Sequence, residues 1–180
     1  MYMDDLKILG FKANINSVND TLDEIDSIKK DGEIIQLLNA DAIASKNHII
    51  HGVNQAYLAF ERGENLANDI SVEIVLRCSA QRQISKAFKV LGLKEGEMNL
   101  CAVLINCDDY DSQLNSLFSR DDSVLDADEN MLRKIYKISD AEVENLALED
   151  IIIDQITKLS VDYWLYFPNI LFLDIHMISF

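Results

Sequence analysis

Two of the three histidines in this 180-residue sequence, its three cysteines and one run of basic side chains are the residues whose types and spacing could do chemistry. His48 and His51 stand three apart in KNHIIHGVNQAYLAFERG, so a helix there puts both imidazoles on one side, within reach of a metal shared with Cys78 or Cys101. No acid or cysteine pair accompanies them, and an isolated H-x-x-H reads as packing or surface histidine, so no metal site is expected. Cys78, Cys101 and Cys107 are odd in number and lack C-x-x-C spacing. They fall in or beside apolar runs and read as small buried hydrophobes in a reducing, cytoplasmic compartment. Asp108, Asp109 and Asp111 look like the start of a calcium loop, but the glycine at its sixth position and the glutamate at its twelfth are missing. There is no G-x-G-x-x-G, no G-x-x-x-x-G-K-[ST], no G-x-S-x-G and no H-E-x-x-H, so nucleotide, hydrolase and metalloprotease chemistry lose their usual support and no cofactor is expected.

The basic run is more informative. Arg82, Lys86 and Lys89 recur at i, i+4 and i+7 on the side of a predicted helix opposite its apolar stripe of Ile84, Ala87, Phe88 and Leu91. With Ser79 as N-cap, Arg82 falls in the first turn, where the helix dipole disfavours a cation and open N–H groups suit a bound anion. Either a phosphate resolves that conflict or the face is simply solvated. The net charge of the chain is −15, yet residues 42–94 carry seven basic against four acidic residues, leaving nine against 27 elsewhere. A basic middle sits inside an acidic chain whose long-range field repels nucleic acid and anionic membrane.

These side chains need elements to hold them. LKILGFKAN alternates as a strand, Ser17 caps an amphipathic helix that Gly32 ends, EIIQLLNA is a second strand, and the helix from Lys46 closes at Gly63. SVEIVLRC alternates Val72, Ile74 and Leu76 against Ser71, Glu73 and Arg77 and is expected to be a strand, leading into the basic helix that Gly92 ends. EMNLCAVLINC has the composition of a central strand. An acid-rich stretch follows, with a short helix around residues 113–118 and a solvated loop, then MLRKIYKIS as strand or extended connector, then a helix over 140–159. Strands and helices without regular alternation predict an α+β fold, helices packed on a largely antiparallel sheet in a single two-layer domain over residues 1–160. A chain of this length buries roughly 70% of its unfolded surface and needs no staples.

In the last helix Leu148, Ile152, Ile156 and Leu159 form one stripe, Leu146 and Ile153 leave it at another angle, and Ile151 and Ala147 at a third. A helix apolar on most of its circumference is buried on more than one side, by a partner or by the apolar extension 161–180. That extension is interrupted by Pro168 and Asp174, too short to span a bilayer, and either packs back or invites association. The two acids in MYMDDLKILG argue against a secretory leader.

The runs EIIQLLNADAIASKNHIIHGVNQAYLAF, SVEIVLRCSAQRQISKAFKVLGLKEG, KIYKISDAEVE and ALEDIIIDQI resemble the kinase-binding accessory subunit of the KEOPS tRNA-modification complex, the TPRKB family. The resemblance covers roughly residues 33–105 and 134–156. It implies a non-catalytic protein that docks on the N-lobe of a small atypical kinase, with Leu146, Ile151 and Ile153 as docking candidates. Archaeal relatives imply a second role, gripping the single-stranded CCA end of tRNA. Here Arg77, Arg82, Lys86 and Lys89 would supply charge, Ser79 and Gln83 polar contacts, and Lys46 a flank. Phe88 is assigned to the buried side, so a base-stacking aromatic is expected elsewhere, with Tyr57 as a candidate. A kinase-docking regulator without RNA contact, and a small ligand-binding or enzymatic domain, are the alternatives. The first role predicts a basic patch and a separate apolar patch, whereas an enzyme predicts a deep pocket with convergent polar groups.

Overall fold

The computed structural model describes residues 6–166, with side chains as far as Val161. Most of the expected extension 161–180 therefore lies outside the described residues. The chain runs β1 (Leu6–Ile15), α1 (Val18–Ile28), β2 (Ile34–Asn39), α2 (Lys46–Arg62), α3 (Ile70–Cys78), α4 (Ile84–Leu91), β3 (Gly96–Ile105), α5 (Asp111–Leu117), β4 (Ser119–Arg120), α6 (Glu129–Tyr136), α7 (Asp140–Val143) and α8 (Leu148–Tyr166). The four strands form one sheet in the order β2-β3-β1-β4, antiparallel throughout. The α+β class read from the sequence is the observed one.

The long apolar run in β3 follows from its central place. Leu100, Ala102 and Leu104 point to one face, where Phe11 and Leu37 of neighbouring strands meet Ile25 of α1 and Leu114 of α5. Cys101, Val103 and Ile105 point to the other, against Ile49 and Val53 of α2, Ile74 of α3 and Leu91 of α4. A strand covered on both faces has no polar alternation to show. Gly10, opposite Cys101 in the register, is required by close approach: a Cβ there would lie 2.7 Å from the Asp121 carbonyl oxygen. Its absence lets the Gly10 N–H donate to Asp122 Oδ1 at 2.8 Å and its carbonyl accept from Asp121 N–H at 3.0 Å.

Capping residues explain the helices that were legible. Ser17 accepts from the Asp20 N–H, Ser45 accepts from the His48 N–H, and Gly63, at φ 67°, closes α2 in the left-handed region. Helix α1 stops at Ile28, short of Gly32.

Three segments differ from the sequence reading. Residues 70–78 are helix α3 and not a strand, started by Asp69, whose carboxylate accepts from the Ser71 and Val72 N–H groups. Every residue from Glu73 to Ser79 is buried, so the helix is enclosed on all sides and its sequence carries no 3.6-residue stripe to oppose the chance alternation. Ser79 accordingly ends α3 instead of starting the basic helix, and α4 begins five residues later behind Gln83. Residues 129–136 are helix α6, capped by Asp128 accepting from Met131 N–H, with Leu132 and Tyr136 inward at i, i+4. The last predicted helix is two, the single-turn α7 and then α8, bent apart at residues 144–147.

Helix α8 is covered by its own chain. Ile151, Ile152 and Ile156 pack with Leu132, Tyr136 and Ile138 from α6 and the segment after it. On its other flank, Ser45 Oγ donates to Glu149 Oε1 at 2.6 Å, His51 Nε2 and Thr157 Oγ1 lie 2.9 Å apart, and Ser160 Oγ donates to Gln55 Oε1 at 3.0 Å. Those bonds tie α8 to α2 along its length.

Candidate docking and nucleic-acid surfaces

Helix α4 presents the basic face. Ala87 and Leu91 are buried against the core, while Gln83, Ser85, Lys86 and Lys89 are exposed. Gln83, the N-cap residue, makes no side-chain cap hydrogen bond, and its carbonyl accepts from the Lys86 and Ala87 N–H groups, both at 3.0 Å. Arg82 is half-buried and donates from Nη2 to the Leu159 carbonyl oxygen of α8 at 3.1 Å, which fixes the entry to α4 against the last helix. Two apolar residues assigned inward by the sequence turn outward: Ile84 is 49% and Phe88 40% exposed. Helix α4 packs chiefly on α3, and also on the edge strand β2 and the turn after it, and these cover Ala87 and Leu91 but leave Ile84 and Phe88 open.

The other predicted RNA residues are elsewhere. Arg77 is 1% exposed, and its Nε donates to Glu73 Oε1 at 2.7 Å, Nη1 to Ser160 Oγ at 3.0 Å and Nη2 to the Glu64 carbonyl at 3.3 Å. Glu73 Oε2 also accepts from Leu66 and Ala67 N–H groups, both at 2.8 Å. This buried ion pair joins α3, the segment after α2, and α8, and it consumes the donors that a phosphate would need. Ser79 is fully buried and donates to the Leu76 carbonyl. Lys46 is exposed but lines a shallow depression with Leu6, Ile8 and Ile50 beside β1, whereas α4 lies along β2. The structure thus brings Gln83, Lys86 and Lys89 together with Arg82 at their margin, and separates Arg77, Ser79 and Lys46 from them.

Among the docking candidates, Leu146 is 58% exposed in the bend between α7 and α8, beside a small groove lined by Val143, Ala147, Leu148, Glu129 and Arg133. Ile151 is inward, packed between α8 and α6, and offers nothing to a partner. Ile153 is half-buried, and its neighbours one turn away on either side, Glu149 and Thr157, both bond to α2, so it lies on the side of α8 turned to α2.

His48 and His51 are spent on structure. His48 Nδ1 accepts from the Ala44 N–H at 3.1 Å, which leaves Nε2 to donate to the Cys78 carbonyl at 2.7 Å; burial lowers its pKa to about 4. Burial also pushes the Cys78 thiol up to about 12, far from a reactive thiolate. Among the described residues no three of His, Cys, Asp and Glu converge as metal ligands, and no helix is long and apolar enough to cross a membrane. A concavity of about 660 Å³ beside β1 and β3 is lined by Lys12, Asn14, Asp41, Glu97, Asn99 and apolar neighbours including Phe118. Lys12 there pairs with Asp121 at 2.8 Å and Asn99 donates to Asp41 at 2.8 Å.

The sequence model of one family, described as kinase binding protein CGI-121, matches residues 13–158. The chain belongs to that family. Regulatory protein Cgi121 of Methanocaldococcus jannaschii is 37% identical over 110 residues, which cover 57% of this chain and 70% of that protein. The KEOPS complex subunit Cgi121 of Pyrococcus abyssi is 28% identical over 100 residues, covering 53% of this chain and 58% of that protein. The family and these names agree with the TPRKB resemblance. For a CGI-121 chain the sequence signal missed at α3 was Asp69 followed four residues later by Glu73, an acidic helix start. The outward turn of Phe88 had no signal, because Ile84, Ala87, Phe88 and Leu91 form an unbroken apolar stripe.

Proposed function

We propose that this CGI-121 protein is a non-catalytic subunit that docks on the N-lobe of the KEOPS kinase and, on a separate surface, holds the single-stranded CCA end of tRNA. The exposed basic face of α4 carries the RNA half of this reading: Lys86 and Lys89 project from a segment, residues 42–94, with seven basic against four acidic residues in a chain of net charge −15. In so acidic a protein an RNA contact is local, and weakens steeply with salt because each neutralised phosphate releases counterions. Gln83 adds a polar contact at the N-terminal end of α4, where the helix dipole favours an anion. Arg82, bonded to α8, shapes the entry to this face and lends charge to its margin.

Docking uses Leu146 and the groove beside it. An exposed leucine in a bend between two helices is a knob for an apolar socket, and the rim of Glu129 and Arg133 surrounds it with charge. Ile153, half-buried on the side of α8 turned to α2, is not in the lining of this groove, while Ile151 holds α8 in place.

Size-exclusion chromatography of the chain with the kinase subunit, alone and with CCA-ended tRNA, tests both halves. Co-elution of kinase and chain, joined by tRNA, is the expected result. Separate elution of kinase and chain at micromolar concentration overturns the docking half.

A further inference from the structure

We infer that Phe88 is a stacking platform for an unpaired base at the end of a single-stranded RNA, with Ile84 extending its apolar surface and Lys89 guiding the adjacent phosphate. The inference rests on the RNA-end reading of α4 and names the residue within it that reads a base in place of the backbone.

A single strand is held by two things at once, a positive track for its phosphates and a flat apolar surface for its bases. Lys86 and Lys89 supply only the first. Phe88 supplies the second: it is 40% exposed, and Ile84, one turn earlier, is 49% exposed. The packing of α4 leaves that ring in water, which forfeits on the order of 1 kcal/mol or more of burial that a bound base would restore. Around the helix, Lys89 and Ser85 stand about 100° and about 60° from Phe88, so a cation and a hydroxyl border the ring on its solvent side. The charge of the patch selects the occupant. An apolar pair bordered by Ser85 and Lys89, with Lys86 about 60° beyond Lys89 around the helix, suits a polyanion with exposed π faces. Tyr57, the aromatic considered from the sequence, is on α2, where it packs against the main core cluster and lines a groove with His51 and Glu61.

The probe is a short single-stranded RNA ending in CCA with 2-aminopurine in place of the terminal adenosine, titrated at low salt against wild type, Phe88→Leu, Phe88→Trp and Lys86→Glu/Lys89→Glu. Stacking on Phe88 predicts a change in 2-aminopurine fluorescence on binding to wild type, retained by Phe88→Trp. Phe88→Leu, which keeps an apolar side chain but loses the ring, is expected to bind about tenfold more weakly with its salt slope unchanged. The melting temperature of each Phe88 variant serves as the control for folding, and a half-exposed side chain predicts little shift. If wild type binds the RNA and Phe88→Leu binds it equally well with the same fluorescence change, the stacking inference is wrong and the RNA reading stands. If wild type fails to bind the RNA, the reading of α4 falls with it. Protection of Phe88 by a protein partner in place of RNA, seen as its loss of exchange or labelling in the kinase complex, also overturns the inference.

Discussion

Removing Glu73 should be among the most damaging single changes in the chain. Its Oε1 pairs with Arg77 Nε at 2.7 Å, both side chains at most 1% exposed, and its Oε2 holds the Leu66 and Ala67 N–H groups. Glu73→Ala strands a guanidinium in the interior, at about 3–5 kcal/mol, and orphans two buried donors at about 1–3 kcal/mol each if no water replaces the carboxylate. These penalties overlap, so an expected loss of about 4 kcal/mol or more falls against a total stability of about 5–15 kcal/mol. Urea unfolding followed by circular dichroism should then show a midpoint lower by about 2 M, taking a slope of about 2 kcal/mol per M. Glu73→Gln combined with Arg77→Met removes both charges while an amide oxygen still accepts from Leu66 and Ala67, and should recover about 2 kcal/mol of the loss. A Glu73→Ala midpoint within about 0.5 M of wild type, or a double variant no more stable than either single charge removal, would refute the claim that the pair is a dry, mutually dependent node. The same double variant should bind tRNA like wild type, since Arg77 faces inward.

Other consequences follow from the same geometry. His48 is held neutral by burial with a folded pKa of about 4, below its unfolded value of about 6.5, so the unfolded chain takes up a proton that the fold resists. Stability therefore rises with pH across that window and is lost as pH falls from about 6.5 to about 4, by about 3 kcal/mol from this residue in total; an NMR titration of its ring should show no protonation above about pH 5, and titration near 6.5 contradicts the burial argument. Lys86→Glu with Lys89→Glu should leave the urea midpoint unchanged, weaken RNA binding and flatten its logarithmic salt slope by about 1.4, as read by fluorescence anisotropy at several salt concentrations. Leu146→Asp should abolish kinase co-purification, with a cost of about 2 kcal/mol or more in the contact and no loss of fold, whereas Ile151→Asp should unfold the α6–α8 layer; equal behaviour of the two would show that this layer is misread.

The sheet was legible where burial is one-sided or complete over a strand's length. Leu9, Phe11, Ala13 and Ile15 alternate because β1 has one better-covered face along that stretch, and the unbroken apolarity of β3 marks a centre strand. Helix α2 was legible because Ser45 and Gly63 bracket it. Helix α3 was not, because complete enclosure erases the polar side that gives a helix its period, and its Glu73 and Arg77 look solvent-facing in sequence although they satisfy each other inside. Arg77 and Ser79 were misplaced in consequence of that one error, since a strand ending at residue 78 would have put both at an exposed strand-to-helix junction. The basic face of α4 was legible from the spacing of Lys86 and Lys89. The positions of Ile153 and Phe88 were set by how α8 leans on α2 and how α4 sits on α3 and β2, neither of which is written in local spacing.

The most direct measurement is the affinity of the isolated complex of chain and kinase for one tRNA with and without its terminal CCA, by anisotropy at low salt. A grip on the single-stranded end predicts at least about tenfold weaker binding when the three nucleotides are removed, since each lost stacked base alone is worth about 1–3 kcal/mol. Equal affinity for the two tRNAs would contradict it.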